Sequence, residues 1–381
     1  MKVIISVPGR FHIFNLAREL YKKGYLKKII TGSPLFVVKN ENLPENFIYS
    51  IPVSYIYFLK SKLRFLNHFI PYSFEAVMFD YIASRYINGV DIFHGFPNWM
   101  LKSSIEAKKR DIIVVAEGSS THILHRERLL SEEYKKLKIP YKPHDTLEIK
   151  RQIQEYEIAD YIFAASEFVR KSFIEYGINE EKIIKIHYGV DDIFFKEIKR
   201  EKKDEIIIVS TIGVRKGTHL LLEAYRRLKK EDKRLRLHLL GFFREDMREI
   251  IEINKDIIDF IGSIKKKELP EYFSKVDIFV QMSLEEGFSI MILEAMASEL
   301  PVVVSENTGT SEIIDNGKDG FVLKYGDVEG LYVILKLLVS DIDLREKIGK
   351  NAREKAKEYN WERYGERCIE TYERIIKERK N

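Results

Sequence analysis

The sequence predicts an α/β protein of two doubly wound, parallel-sheet domains with a cleft between them. Three observations carry that prediction. Short apolar runs alternate with helical segments along both halves of the chain, the pattern of strands covered on both faces. A charged run, KEIKREKKDE at 196–205, interrupts the alternation and has the composition of a surface linker. The length, 381 residues, is enough for two hydrophobic cores.

The elements follow in order. Val3–Val7 reads as a buried strand and Phe11–Lys23 as the helix after it. Asp91–Phe93, Ile112–Ala116, Tyr161–Ala165 and Ile183–Ile186 are the later strands of the first half, each short, apolar and followed by turn residues or a helix. Past the linker the strands are Ile206–Thr211, Leu235–Leu240, Ile257–Ile261, Asp277–Gln281, Val302–Ser305 and Phe321–Leu323. The expected boundaries are a Rossmann-like domain at 1–195, a second at 196–360 and a helix over 361–381.

The stretch Ser283–Glu312 is the most informative. Glu286 and Glu294 have seven residues between them, and Phe288–Ala297 is apolar except for Ser289 and Glu294. That reads as a buried helix carrying one charge, which is costly unless paired or facing a ligand. Gly287 is free to take a positive φ and to let a ligand approach the backbone. Ser289 is a candidate N-cap, and the N–H groups after it suit an anion or hydroxyl. The crevice lies at strand carboxyl ends, where open α/β sheets bind ligands. A buried helix with an ordinary paired Glu is the alternative reading of the same residues.

Glu286-Gly287-Phe288-Ser289, Glu294-Ala295-Met296, Pro301-Val302-Val303 and Glu312 together resemble the E-x7-E signature of the family 4 retaining glycosyltransferases, which have the GT-B fold. Lys216-Gly217 with Leu220 to Ala224 is similar to that family's phosphate-lysine segment, and Tyr188-Gly189-Val190-Asp191 to the end of its first domain. The chain departs from the family in three places. Thr211 stands where an Arg is usual, five residues before Lys216, and Arg215 is available as a second cation. The Gly-rich first loop is reduced to Pro8-Gly9-Arg10, and Ser289 and Glu299 replace common glycines.

The resemblance implies a transferase that moves a sugar from a nucleotide-diphosphate sugar to a hydroxyl acceptor. It assigns Lys216 and Arg215 to the diphosphate, Glu294 to the ribose hydroxyls, and Glu286 to a donor-sugar hydroxyl. It assigns the backbone of Gly287, Phe288 and Ser289 to sugar and phosphate, with Thr211 beside them. It also implies attack from the leaving-group face, the phosphate taking the acceptor's proton, so that Glu286 is no nucleophile. The first domain would hold the acceptor. His122 is its candidate catalytic residue there, with a satisfied helix-start residue as the alternative. Glu117, Arg10 and His12 are the other acceptor-side candidates. The turn Thr308-Gly309-Thr310-Ser311 is a further lining candidate. A same-fold nucleotide-sugar epimerase and a non-catalytic nucleotide-sugar-binding subunit remain open alternatives.

Composition narrows the rest. With 45% hydrophobic and 32% charged residues the chain is a globular, water-soluble type. A net charge of +5 is small for this length; it suits a phosphate-rich ligand and gives no case for a nucleic-acid partner. One cysteine, Cys368, excludes an internal disulfide framework and a Cys-based metal site, and reads as incidental in a charged helix. No signal peptide or spanning segment is visible, so the expected location is cytoplasmic. The aromatic and basic segment 51–79 fits either a helix docked at a membrane surface or one packed on its own domain. No cofactor or essential metal is expected: Asp341-Ile342-Asp343 is D-x-D in letters only and precedes the helix Leu344–Tyr359 as a cap.

Overall fold

Among the described residues thirteen short strands form two sheets, and the apolar runs explain where they lie. A computed structural model describes residues 1–39, 41–53, 55, 72–196 and 204–380. The first sheet joins β1 (Val3–Val7), β2 (Leu26–Thr31), β3 (Ile48–Ser50), β4 (Ile92–Gly95), β5 (Ile113–Gly118), β6 (Tyr161–Ala164) and β7 (Ile183–Lys185) in the order 3-2-1-4-5-6-7. The second joins β8 (Ile206–Thr211), β9 (Leu235–Leu240), β10 (Asp259–Gly262), β11 (Ile278–Gln281), β12 (Val302–Ser305) and β13 (Phe321–Leu323) in the order 10-9-8-11-12-13. Every pairing between neighbouring strands is parallel. Both sheets reverse strand direction of growth at one point, beside β1 and beside β8. Such switch points open crevices at the strand carboxyl ends.

β2 and β3 are absent from the sequence reading. In β2, LKKIIT, two lysines break the apolar run; β3 is a three-residue edge strand. β5 runs two residues further than expected, so Glu117 and Gly118 belong to the strand and not to the turn after it. The buried helix spans Ile290–Ala297 with Ser289 at its cap position, as read, and the helix near the D-x-D letters is Ile342–Ala356 rather than Leu344–Tyr359. Asp341 caps that helix, accepting from Leu344 N–H at 2.8 Å.

The helix Trp361–Lys380 returns to the first domain and packs on Ile13–Lys22. The approach is close: a Cβ on Gly365 would lie 2.6 Å from Glu19 Cβ. Cys368 lies on the inner, buried face of this helix, with Tyr372 and Ile375, and so is a core residue rather than an incidental one. Most of the charged run at 196–205 and most of the 51–79 segment lie outside the described residues. Among the described residues no helix is long and apolar enough to cross a membrane.

The domains also meet through the helix Ile123–Leu137 after β5. Its Leu130 and Tyr134 join Ile212, Val214, Met247 and Leu284 of the second domain in one apolar cluster. Glu133 beside it meets His219 at 3.0 Å.

Candidate active site

The loop after β8 is shaped by two residues. A Cβ on Gly217 would fall 1.8 Å from the Met282 carbonyl, and φ there is +72°, so only glycine fits. The Thr218 hydroxyl accepts from Gly213 N–H at 2.9 Å and reaches the Thr211 carbonyl at 3.0 Å. Arg215 and Lys216 are thereby fixed just before the helix Thr218–Glu231, where its N–H groups and dipole favour negative charge.

The loop after β11 faces them with two carboxylates. Arg215 Nη1 lies 3.2 Å from Glu285 Oε2 and 3.1 Å from Glu286 Oε2, and Lys216 Nζ also pairs with Glu286. Burial pushes the Glu286 carboxyl up, but Arg215 and Lys216 outweigh it and hold the group below the usual range. Burial lowers Lys216 in turn, aided by the neighbouring guanidinium and opposed by Glu286. Arg215 is partly buried, and Glu286 and Glu285 raise it. The result is a partly buried group of two cations and two carboxylates at the cleft, of which Glu285 alone is fully enclosed.

Gly287 does not use a positive φ. It is required by contact instead: a Cβ would sit 2.1 Å from the Ser119 carbonyl of the first domain. Ser166 Oγ donates to the Gly287 carbonyl at 2.7 Å, again across the domains. Phe288 is buried and stacks on His187, ring centres 5.5 Å apart. Ser289 occupies the cap position, but its side chain makes no cap bond; its N–H donates to Thr310 Oγ1 at 2.7 Å and its hydroxyl lies 3.3 Å from Gln281 Oε1. Thr310 therefore belongs to the scaffold of the loop. Thr211 Oγ1 lies 3.3 Å from the same Gln281 atom.

Glu294 is buried on the helix Ile290–Ala297, with Lys266 Nζ at 3.9 Å and Asp191 beyond, bound to that lysine. Burial raises its carboxyl to about 7; Lys266 lowers it and Asp191 raises it. One turn earlier, Met291 lines a cavity of about 370 Å³ with Thr211, Lys216, Gly241, Phe242 and Arg244.

The first domain contributes differently from expectation. Glu117 is enclosed: Tyr188 donates to it at 2.7 Å, with His12 Nε2 at 3.2 Å and His94 Nε2 at 2.9 Å. Burial would raise its carboxyl, but the two histidines hold it well below the usual range, so it is no ready base. His12 is part of that buried network. Arg10 pairs with Glu41 on an exposed surface. His122 is the N-cap of Ile123–Leu137, its Nδ1 accepting from Leu124 N–H at 3.3 Å and its ring stacked on Tyr176 at 4.8 Å. Burial, then His125, lowers it to about 4. This is the satisfied helix-start alternative, not a group presented to the cleft.

What reaches the second domain is the loop Ser119–Thr121. Glu285 Oε1 accepts from Ser120 Oγ at 2.9 Å, Thr121 N–H at 3.1 Å and Thr121 Oγ1 at 2.9 Å. Burial pushes Glu285 up, but Arg215 and Arg126 hold it ionised, down to about 2. Sequence reasoning passed over Glu285. Its signal was a second carboxylate beside Glu286, but its partners lie 164 and 165 residues away on another domain. Among the described residues no cluster of three or more His, Cys, Asp or Glu side chains could hold a metal ion.

Residues 189–355 match the family model described as "Glycosyl transferases group 1". That match covers most of the second domain and less than half of the chain. Sulfoquinovosyl transferase SQD2 of Arabidopsis thaliana is 34% identical over 163 residues, 42% of this chain and 31% of that protein. The N,N'-diacetylbacillosaminyl-diphospho-undecaprenol alpha-1,3-N-acetylgalactosaminyltransferase of Campylobacter jejuni is 29% identical over 204 residues, 53% of each protein. The chain thus spans between a third and about half of the length of these relatives. Anabaena HepE, solved in complex with UDP-glucose, shares the fold of the whole chain at a TM-score of 0.69, with 16% identity over 97% of this chain and 99% of that one. The likeness in fold, the two-domain GT-B architecture, therefore extends beyond the matched segment to both sheets.

Proposed function

We propose that this protein is a retaining glycosyltransferase that takes a sugar from a nucleotide-diphosphate sugar and gives it to a hydroxyl acceptor. The observation that carries this reading is the partly buried, ion-paired set Arg215, Lys216 and Glu286 at a helix start, beside the 370 Å³ cavity. A diphosphate brings negative charge that both cations and the helix dipole stabilise, and this matters most as the sugar–phosphate bond breaks. Glu286, released from Lys216 by the incoming phosphate, is free to accept a sugar hydroxyl. Glu294 has only Lys266 at 3.9 Å, a cation it shares with Asp191, and is suited to a ribose diol, which supplies two donors to one carboxylate. Gly287 to Ser289 offer backbone to the sugar, and Thr211 offers a hydroxyl in place of a third cation.

The chemistry follows from charge. As the bond loosens, positive charge grows on the sugar and negative charge on the phosphate. Arg215 and Lys216 lie on the phosphate side. Glu286, beside Arg215 and engaged by a sugar hydroxyl, is poorly suited to attack carbon, so the acceptor hydroxyl approaches on the leaving-group face and the phosphate oxygen takes its proton. The buried Glu117 and capped His122 take no part in that transfer. The matched relatives are transferases by name, and a neighbour in fold was solved with UDP-glucose, which makes UDP-sugars the first donors to try.

The test is a thermal-shift screen of UDP-, GDP- and ADP-sugars, on the native protein and on Glu294→Ala. Binding to the native state raises the melting temperature. A rise with one donor that the variant loses, followed by release of the nucleoside diphosphate on turnover, supports the reading. No rise with any donor would sink it.

A further inference from the structure

Thr211 leaves the donor cavity one cation short, and Arg215 does not make up the difference. Arg215 Nη1 donates to the Glu285 carbonyl at 2.9 Å and lies 3.2 and 3.1 Å from the Glu285 and Glu286 carboxylates. Among the described residues the cations that line the 370 Å³ cavity are Lys216 and Arg244. We propose, resting on the nucleotide-sugar reading above, that Arg244 is the third cation of the donor's phosphate site and that Tyr134 of the first domain positions it.

Gly213 shows where Arg244 stands. A Cβ built there would lie 3.5 Å from Arg244 Cδ and 3.6 Å from Lys216 Cγ, so both stems flank one glycine of the loop that carries Lys216. The Arg244 guanidinium turns one edge to Asp246, with Nε 3.1 Å from Oδ1 and Nη2 3.2 Å from Oδ2. Among the described residues its Nη1 has no hydrogen bond, and the side chain is 55% exposed. A guanidinium carries five N–H donors in a planar fork, so its second edge can take phosphate oxygens while the first keeps the carboxylate. Asp246 in turn is held from the other domain. Tyr134, on the helix Ile123–Leu137, donates to it, and the next residue, Met247, joins Leu130 and Tyr134 in the apolar cluster between the domains. Burial, and after it Asp246, raises the Tyr134 hydroxyl, so the proton stays there to be donated. A carboxylate bonded by Tyr134 as well as by Arg244 is fixed in direction, and the guanidinium with it. Opening of the cleft would free Asp246 and let Arg244 swing, so domain closure and phosphate binding favour each other.

Isothermal titration of the full chain tests this. The probes are UDP, GDP and ADP, their three nucleosides, and inorganic pyrophosphate. Arg244→Ala is expected to weaken the preferred diphosphate at least about tenfold, the effect of losing a hydrogen bond to a charged group, and to leave its nucleoside unchanged. Arg244→Lys is expected to recover part of that loss, since it returns the charge without the fork. Tyr134→Phe keeps the ring in the apolar cluster and removes only the donated bond. It is expected to weaken the diphosphate about threefold, again with the nucleoside untouched, a selectivity that a purely structural role does not produce. A diphosphate affinity unchanged in Arg244→Ala, or an equal loss for diphosphate and nucleoside, would overturn the third cation. A lowered melting temperature in Tyr134→Phe with the diphosphate bound as before would overturn the positioning role. Pyrophosphate binding that requires Arg244, in a protein that takes no nucleotide, would keep the cation site and remove the nucleotide-sugar reading instead.

Discussion

Neutralising Glu285 should loosen the two domains from each other. Its Oε1 takes three hydrogen bonds from Ser120 and Thr121 on the first domain, and its Oε2 faces Arg215 on the second. In Glu285→Gln the oxygen still faces the first domain, but the charge that balances Arg215 is gone. The magnitude can be reached in two ways. Lowering a carboxyl from its ordinary 4.5 to about 2 corresponds to about 3 kcal/mol. Removing one partner of a buried ion pair costs roughly 3–5 kcal/mol. The two agree near about 3 kcal/mol, or roughly a hundredfold in an equilibrium constant. Because the bonds cross the cleft, that cost falls on domain closure as well as on folding. A depressed carboxyl contributes fully above its unfolded value of 4.5 and loses that contribution as pH falls from there towards about 2. The native protein should therefore weaken over that window, and Glu285→Gln should lack the dependence. Urea melting across pH and small-angle scattering at neutral pH are the assays. An unchanged urea midpoint together with an unchanged radius of gyration would refute the reasoning, as would strict additivity of Glu285→Gln with Thr121→Val.

Glu294→Gln should stabilise the ligand-free protein above neutral pH while losing donor binding. Its raised value means a penalty that sets in as pH climbs from 4.5 through about 7, so the melting-temperature gap between variant and native protein should widen over that interval. Lys216→Ala should lower the turnover number by roughly 10²–10³, the usual effect of losing one charge-stabilising donor, as measured by release of nucleoside diphosphate. Gly287→Ala forces a methyl into the Ser119 carbonyl and should cost about 1–3 kcal/mol in urea melting, an effect that a smaller Ser119→Gly partner would not relieve because the clash is with backbone.

The strands of the second domain were legible as short runs rich in apolar residues: β8, β9, β12 and β13 lie where the pattern puts them, and in β9 Arg236 and His238 alternate with buried leucines. β2 was hidden because two adjacent lysines, half-buried, break both the apolar run and the alternation. Lys216, Arg215 and Glu286 could be picked out from their own short motifs, and the loops after the neighbouring strands β8 and β11 bring them together. His122 stayed open between two roles because a cap and a catalytic histidine look alike after a strand. Glu117 looked accessible from its neighbours in sequence; it is enclosed by His12, His94 and Tyr188, which arrive from three distant segments. Glu285 shows the same limit from the other side. A charge satisfied across two domains leaves no trace in its own neighbourhood.

The helix Trp361–Lys380 has a bearing on how the molecule is made. Tyr372 from that helix reaches His94 in the first sheet, and Gly365 seats on Glu19. The first domain thus lacks one wall until a segment synthesised after the whole second domain has emerged from the ribosome. Its apolar surface over Leu16, Leu20 and Phe163 stays uncovered through most of translation. The nascent chain should consequently depend on chaperone shielding for longer than a chain whose domains close one at a time, and a nick near residue 360 should release the first domain's fold even though no residue of either sheet is cut.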